Sequence, residues 1–349
     1  MKRIVIAAVA AISSIMVAVP ASAAEGIQGG GASFPYPFIQ TCAADFNASQ
    51  KNFTVNYTST GSGAGKGNFT KGLFVYAQTD SKYSSGAPTF GWEYVANIGG
   101  AIVFPINLKS TKTGKTLGSS IQLKRVTLAK ILSGNIKVWN DPEILKDNPR
   151  IAAGIPALPI TIAYRSDASG TSNNLLQHLN AWAPTIWSKV QDDFGTAFPG
   201  GMPPASSVAG KGNAGVMSLV ASKDGTIGYV DFSDAKSFPT IARIENANGE
   251  FIAPSSASAG KNLANQTNIS PDGLITLDYN VKAAGAYPIA IFSYMLVRTD
   301  GKGPNGLGVR QFADYVIQKC GPTRASSLGY VAVGGKVLAK ARELVQNIK

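Results

Sequence analysis

Four short stretches concentrate hydroxyls, glycine and a charge: Ser33-Phe34, Gly61-Ser62-Gly63, Thr79-Asp80, and Arg165-Ser166-Asp167-Ala168-Ser169-Gly170-Thr171. Three of the four lead into segments with helical periodicity, and a helix N-terminus offers free N–H groups and the positive end of the helix dipole. Glycine lets the backbone approach a ligand, Ser and Thr hydroxyls add donors, and the planar Arg165 guanidinium matches two oxygens of a tetrahedral anion. Asp167, two residues on, can hold that guanidinium by an ion pair. Taken singly, each stretch reads first as a helix cap or a turn. Together they point to a cradle for an oxyanion.

Other chemistries are short of parts. One histidine, His178, and two cysteines, Cys42 and Cys320, cannot assemble a Cys/His zinc site, a Cys-x-x-Cys redox pair or an iron–sulfur cluster. No metal or other cofactor is expected. Gly65-Lys66-Gly67, Gly114-Lys115-Thr116 and Gly210-Lys211-Gly212 each lack the glycine that a P-loop carries five residues before its Gly-Lys. Gly61-Ser62-Gly63 lacks the spacing of a hydrolase elbow, and His178 sits in an amphipathic helical stretch, where it reads as a packing or helix-surface residue. Trp92, Trp139, Trp182 and Trp187 lie among apolar neighbours and read as core. Any chemistry rests on carboxylates, hydroxyls, Arg, Lys and backbone amides.

Positioning these stretches calls for alternating strands and helices. Gly29 to Pro35 reads as a turn-rich segment leading into a helix with Phe38, Ile39, Cys42 and Phe46 at helical spacing. Phe53, Val55 and Tyr57 alternate as a strand does, and Gly61 to Gly65 breaks it before a short helix. Phe74 to Ala77 reads as a buried strand ending near Asp80. The same strand, loop and helix order recurs at Ile160 to Tyr164, Arg165 to Thr171, and Asn174 onwards, where Leu175, Leu176, Leu179 and Trp182 form one apolar stripe. Such alternation argues for α/β layers with open sheets, whose ligands sit at the carboxyl ends of strands. Ala101 to Ile106 and Ile289 to Val297 are candidate crossing strands between two lobes. Pro199 to Ser207 and Pro254 to Gly260 read as loops.

The length of 349 residues fits two domains or one large one. Hydrophobic residues make up 44% and charged ones 15%, against about 25% charged for an average domain, which excludes a highly charged disordered chain. Lys2 and Arg3, the apolar run Ile4 to Val19 and Pro20-Ala21-Ser22-Ala23 read as an export signal, residues 1–23, cleaved after Ala23. The run is short for a membrane span and is broken by Ser13 and Ser14. Without it 30 Lys and Arg face 20 acidic residues, a charge of about +10 that favours anionic partners through long-range steering. Basic residues are scattered rather than interleaved with aromatics, so no nucleic acid is indicated. Spacing alone leaves Cys42 and Cys320 open between a disulfide and two buried thiols.

Longer strings carry a resemblance. Gly29-Gly30-Gly31-Ala32-Ser33-Phe34-Pro35, Asn56-Tyr57 before Gly61-Ser62-Gly63, Leu132 to Asp141, Arg165 to Ser172, Gly210-Lys211-Gly212-Asn213 and Gly225 to Val230 resemble the phosphate-binding proteins of ABC-type phosphate importers over nearly the whole mature chain. The Arg-x-Asp-x-Ser-Gly-Thr string is the most specific of them. The resemblance implies a two-lobe α/β binding protein of type II, each lobe an open sheet flanked by helices, with a two-strand hinge. It places 24–102 and 289–349 in lobe I and 103–288 in lobe II.

The same resemblance implies that Ser33, Phe34, Ser62, Arg165, Ser169, Gly170 and Thr171 donate to phosphate, that Asp167 orients Arg165, and that Asp80 is the acceptor. It brings both chain ends into one lobe, and so implies a Cys42–Cys320 disulfide. One stretch departs: Val75-Tyr76-Ala77-Gln78-Thr79-Asp80 stands where the family has a small-residue run before the acceptor. The implied protein is periplasmic, monomeric and not an enzyme, with inorganic phosphate and a membrane permease as partners. The alternatives are an exported phosphatase, or the same scaffold in an adhesion or sensory role.

Overall fold

The glycine-rich opening segment takes a different course from the one its composition suggests. In the computed structural model, which describes residues 24–349, Glu25–Gly31 is a strand (β1) and not a turn-rich lead into a helix. It lies parallel to Phe53–Ser59 (β2) on one side and Tyr76–Thr79 (β3) on the other. A Cβ on Gly29 would sit 2.2 Å from the Tyr76 ring, so a bulky aromatic takes the room that the glycine leaves beside a central strand. The expected export signal and its cleavage point after Ala23 lie outside the described residues.

The strands of the two main sheets that follow are β4 (Trp92–Val103), β5 (Ile106–Asn107), β6 (Thr161–Arg165), β7 (Val208–Gly210), β8 (Thr226–Gly228), β9 (Val230–Asp231) and β10 (Ala290–Arg298). One sheet has the order β9-β4-β10-β3-β1-β2 and a second the order β5-β8-β6-β7, each the centre of one lobe of a mixed α/β fold. The chain passes from the first sheet to the second at Phe104-Pro105, between β4 and β5. It passes back at Tyr229, between β8 and β9, where Val230 pairs with Val103. The Ile289 to Val297 run does not itself cross. As β10 it lies antiparallel to β4 from Ala290 opposite Ala101 to Arg298 opposite Trp92, and its mostly apolar sequence, interrupted at Ser293, suits a strand buried on both faces.

Helices cover the sheets. They include α1 (Tyr36–Ser49), α2 (Ser62–Thr70), α3 (Gly170–Trp182), α4 (Gly212–Ser222), and near the C-terminus α5 (Gly306–Tyr315), α6 (Gly321–Leu328) and α7 (Gly335–Gln346). Phe38, Ile39, Cys42 and Phe46 form the buried stripe of α1, as their spacing predicts. Pro254 to Gly260, expected to be a loop, instead opens a helix over Ser256–Leu263, because the Ser255 hydroxyl accepts the Ser258 N–H and caps it. His178 is a packing residue. It is buried between the Trp182 and Tyr279 rings, its Nδ1 is 2.7 Å from Asn174 O, and burial pushes its pKa down to about 4. Among the described residues no helix is long and apolar enough to cross a membrane.

Both ends of the described chain lie in the first lobe, and the Cys42–Cys320 disulfide ties α1 to the turn before α6 across 278 residues of sequence. Closing so long a loop restricts the unfolded chain, which in typical cases stabilises by about 2–4 kcal/mol. Equilibrium denaturation of the oxidised protein and of Cys42→Ser/Cys320→Ser should therefore differ by that amount in favour of the disulfide. Coincident unfolding curves would show that the bridge contributes nothing.

Candidate functional site

The four polar stretches all lie at the carboxyl ends of strands. Ser33-Phe34 follows β1, Gly61 and Ser62 follow β2, Asp80 follows β3, and Arg165 ends β6 before the turn into α3. These strands belong to parallel ladders, and the carboxyl ends of such ladders face the crevice between the lobes.

Hydrogen bonds bring the stretches together across that crevice. The Asp80 N–H donates to Ser62 Oγ at 3.3 Å, and the Thr171 hydroxyl of the second lobe donates to Asp80 Oδ2 at 3.4 Å. Asn174 Nδ2, one turn along α3, donates to Asp80 O at 2.5 Å. The Asn213 N–H at the start of α4 donates to Ser33 Oγ at 3.4 Å. Gly170 is one point of close approach: a Cβ there would lie 2.6 Å from Ser62 Oγ and 2.9 Å from Asp80 Cα, so no larger residue fits once the lobes have closed. Phe34 is fully buried, and its carbonyl accepts the Tyr330 hydroxyl at 2.6 Å.

The second lobe supplies the charge and the helix end. Arg165 is buried; its Nε donates to Asp167 Oδ1 at 2.8 Å and its Nη2 to Asp167 Oδ2 at 2.5 Å. Its Nη1 donates to Asn213 Oδ1 at 2.9 Å. One N–H remains on each terminal nitrogen, a pair suited to two oxygens of one anion. Burial by itself would raise the Asp167 carboxyl, but the bonds and charge of Arg165 and the Gly212 N–H outweigh it and hold the group below its usual range. Ser169 caps α3 by accepting the Ser172 N–H at 3.2 Å, and the first intrahelical bond runs from Asn173 N to Ser169 O. The amides of Gly170 and Thr171 precede that bond and are left for an anion.

Asp80 is the exception among these donors. No helix follows it, so a capping role is ruled out. Its Oδ1 accepts the Ser293 hydroxyl at 2.7 Å, and burial raises its pKa from 3.8 to about 6 against the lowering effects of Ser293, Arg165 and Thr171. The unusual residues before it are absorbed by the core. The Tyr76 hydroxyl donates to Asn56 O at 3.0 Å, and Gln78 Oε1 accepts from Asn97 Nδ2 at 3.0 Å.

Several members of the site carry no motif of their own. Ser293 is the one small hydroxyl inside the apolar run Ile289 to Val297, and that departure is visible in the sequence. Asn213 and Gly212 lie in the Gly-Lys-Gly-Asn string. Asp231, buried, accepts from Asn213 Nδ2 at 2.7 Å, and only the fold reveals that contact. Tyr229 Oη takes the Arg165 N–H at 3.1 Å and lies 2.7 Å from the Ser172 hydroxyl, so the passage between sheets is bonded to the site.

Comparison with known proteins places this geometry in context. The PBP superfamily domain matches residues 18–319. The phosphate-binding protein PstS of Xylella fastidiosa (strain 9a5c) is 33% identical over 281 residues, covering 79% of this chain and 72% of the relative. PstS of Pasteurella multocida (strain Pm70) is 30% identical over 322 residues, covering 91% and 89%. Among solved structures, the high-affinity periplasmic phosphate-binding protein PfluDING, determined with phosphate bound, superposes with a TM-score of 0.69 at 21% identity, covering 92% of this chain and 93% of that one. At that identity the superposition speaks for the fold.

The raised Asp80 pKa makes a prediction for the ligand-free protein. Below about pH 4 both folded and unfolded states hold the proton. Between about 4 and 6 the unfolded chain ionises first, so Asp80 withdraws stability as pH rises and the loss is complete above about 6. A shift of this size amounts to roughly 2–3 kcal/mol. Unfolding of anion-stripped wild type and Asp80→Asn at pH 4 and pH 7 should show the gap in favour of the variant widening by about that much. A gap independent of pH would contradict the assignment.

Proposed function

The chain belongs to the PBP superfamily and, within it, to the PstS phosphate-binding proteins, and on that premise we propose that it captures inorganic phosphate in the periplasm and delivers it to an ABC-type permease. The observation that carries this reading is a single buried acceptor, Asp80, set among donors from both lobes. Ser33, Ser62, Ser169 and Thr171 offer hydroxyls, Phe34, Gly170 and Thr171 offer amides, and Arg165 offers its two remaining N–H groups. Asp167 holds Arg165 in place.

Near neutral pH phosphate keeps at least one proton and sulfate keeps none. The proton of phosphate can be donated to Asp80 in a short charge-assisted bond, whereas sulfate sets a bare lone pair against the carboxylate. Losing a charged hydrogen bond costs about 1.5–3 kcal/mol, so phosphate should be preferred by at least ~10–100-fold. Ligand bound to both lobes favours the closed arrangement, which is what a permease can tell from the open one. The lobe division expected from the sequence, 24–102 with 289–349 against 103–288, belongs to this proposal; within the central block β9 pairs with β4, and the Ser256–Leu263 helix also packs on β4 and β10 of the first sheet.

The matched relatives are named binding proteins, and we read this chain as one without turnover. Its hydroxyls act as caps and donors, and His178, the one histidine, is shut in aromatic packing away from them. Release of product from a chromogenic phosphate ester would overturn that part.

Titration calorimetry with phosphate and with sulfate tests the whole. Arg165→Ala should retain the fold and lose phosphate affinity by about 100-fold or more, since two charged hydrogen bonds go with the side chain. Asp80→Asn, whose amide can donate to either anion, should narrow the phosphate-to-sulfate ratio. An Arg165→Ala protein that binds phosphate nearly as well as wild type would show the site to be misassigned, and an unchanged ratio in Asp80→Asn would place selectivity elsewhere.

A further inference from the structure

A second set of polar side chains joins the lobes beside the anion cage. Lys66 is buried, an uncommon place for an ammonium, on the turn of α2 that follows Ser62. Its Nζ donates to Ser81 Oγ at 2.9 Å, to Lys82 O at 2.9 Å and, across the crevice, to Asp192 Oδ2 at 2.8 Å. The Ser81 hydroxyl donates to the same Asp192 oxygen at 3.1 Å. All three N–H groups of the ammonium thus find acceptors. The Tyr83 ring adds an aromatic wall 5.7 Å from Nζ.

Each member is adjacent to a residue of the proposed cage. Lys66 follows Ser62 by four residues on one helix, and Ser81 is the neighbour of Asp80. The Asp192 carbonyl accepts the Ser169 N–H at 2.8 Å and so holds the residue that caps α3. Separation of the lobes must break the Lys66–Asp192 pair, and closure must form it. In the open form both charges are hydrated. In the closed form they are largely withdrawn from water, and the fully satisfied geometry offsets the desolvation.

We propose that Lys66, Ser81 and Asp192 form a latch that contacts no ligand and sets how long the closed lobes retain phosphate. It rests on the phosphate-capture reading for its biological meaning, while its geometry is independent of it. Lys66 and Asp192 are positioning residues: removing one charge strands the other in the closed interior, a penalty absent from the open state. Loss of one partner of a buried pair acts chiefly on dissociation.

The test is a double-mutant cycle on Lys66→Met and Asp192→Asn. Stopped-flow release of inorganic phosphate should be about 10–100-fold faster in each single variant, with association changed little. The double variant should recover most of the loss, because neither charge is left alone. The Gly63 N–H, which donates to Ala168 O across the crevice at 3.0 Å, reports closure without any ligand. Its hydrogen exchange in phosphate-free protein should quicken in each single variant and slow again in the double, while amides of β10 stay protected. Should Lys66→Met fail to fold, lost protection in β10 will show it, and Asp192→Asn alone then decides by its release rate and Gly63 exchange. Wild-type release and exchange in the folded single variants, or single effects that simply add in the double, would overturn the latch. If wild type binds no phosphate, the capture reading fails, and Gly63 exchange still decides whether the latch holds the lobes together.

Discussion

Asp80 accepts one hydroxyl from each lobe, Ser293 at Oδ1 and Thr171 at Oδ2, inside a cluster whose other members are nearly all donors. A carboxylate in such a place is strained electrostatically, and its pKa of about 6 records the cost of burial. The rest of the site can be understood as the means of keeping it there. β3 stops at Thr79 without running into a helix, so the carboxylate is not spent on a cap. Gly170 lets α3 approach until its N-terminus faces the acid, and Ser293 interrupts an apolar strand to satisfy one oxygen. A protonated oxyanion relieves the strain by donating its O–H. A fully ionised one makes it worse.

Positive charge alone does not explain anion binding here. Arg165 is the buried cation nearest the cage, yet Asp167 neutralises it through two bonds and leaves two N–H groups rather than a net charge. Attraction therefore falls to oriented dipoles: the first amides of α3, the hydroxyls of both lobes, and the half-spent guanidinium. Asn213 ties Arg165 to Asp231, and Tyr229 joins Arg165, Ser172 and the passage between the sheets. The site is thus anchored to the segment about which the lobes meet.

Much of this was legible in the residues. The helical stripe of α1, the strand alternation of Phe53 to Tyr57, and the strand, loop and helix order around Arg165 all follow from periodicity and turn chemistry. The misreadings have physical causes. Gly29 to Gly31 reads as a turn because glycine is the common turn residue, but here Gly29 makes room for Tyr76 and Gly30 for Phe74, contacts no local pattern announces. Pro254 to Gly260 looked like low-complexity loop, and one serine cap turned it into a helix. Asp80 by itself reads as a cap, and only the resemblance and then the fold give it a different task. Ser293, Asp231 and Asp192 act on residues far away in sequence, and such long-range partners are beyond spacing arguments. The disulfide is similar: two cysteines 278 residues apart say little until both chain ends are known to share a lobe.

Where the anion sits and what Asp80 does to it are measured most directly by a crystal structure of the protein with phosphate at neutral pH. It should show one tetrahedral anion between the lobes, bonded to Ser33, Ser62, Arg165 and the start of α3, with one oxygen in a short contact of about 2.5–2.7 Å to an Asp80 carboxylate oxygen. Phosphate bound elsewhere, or bound in the crevice with Asp80 turned away from it, would contradict the account.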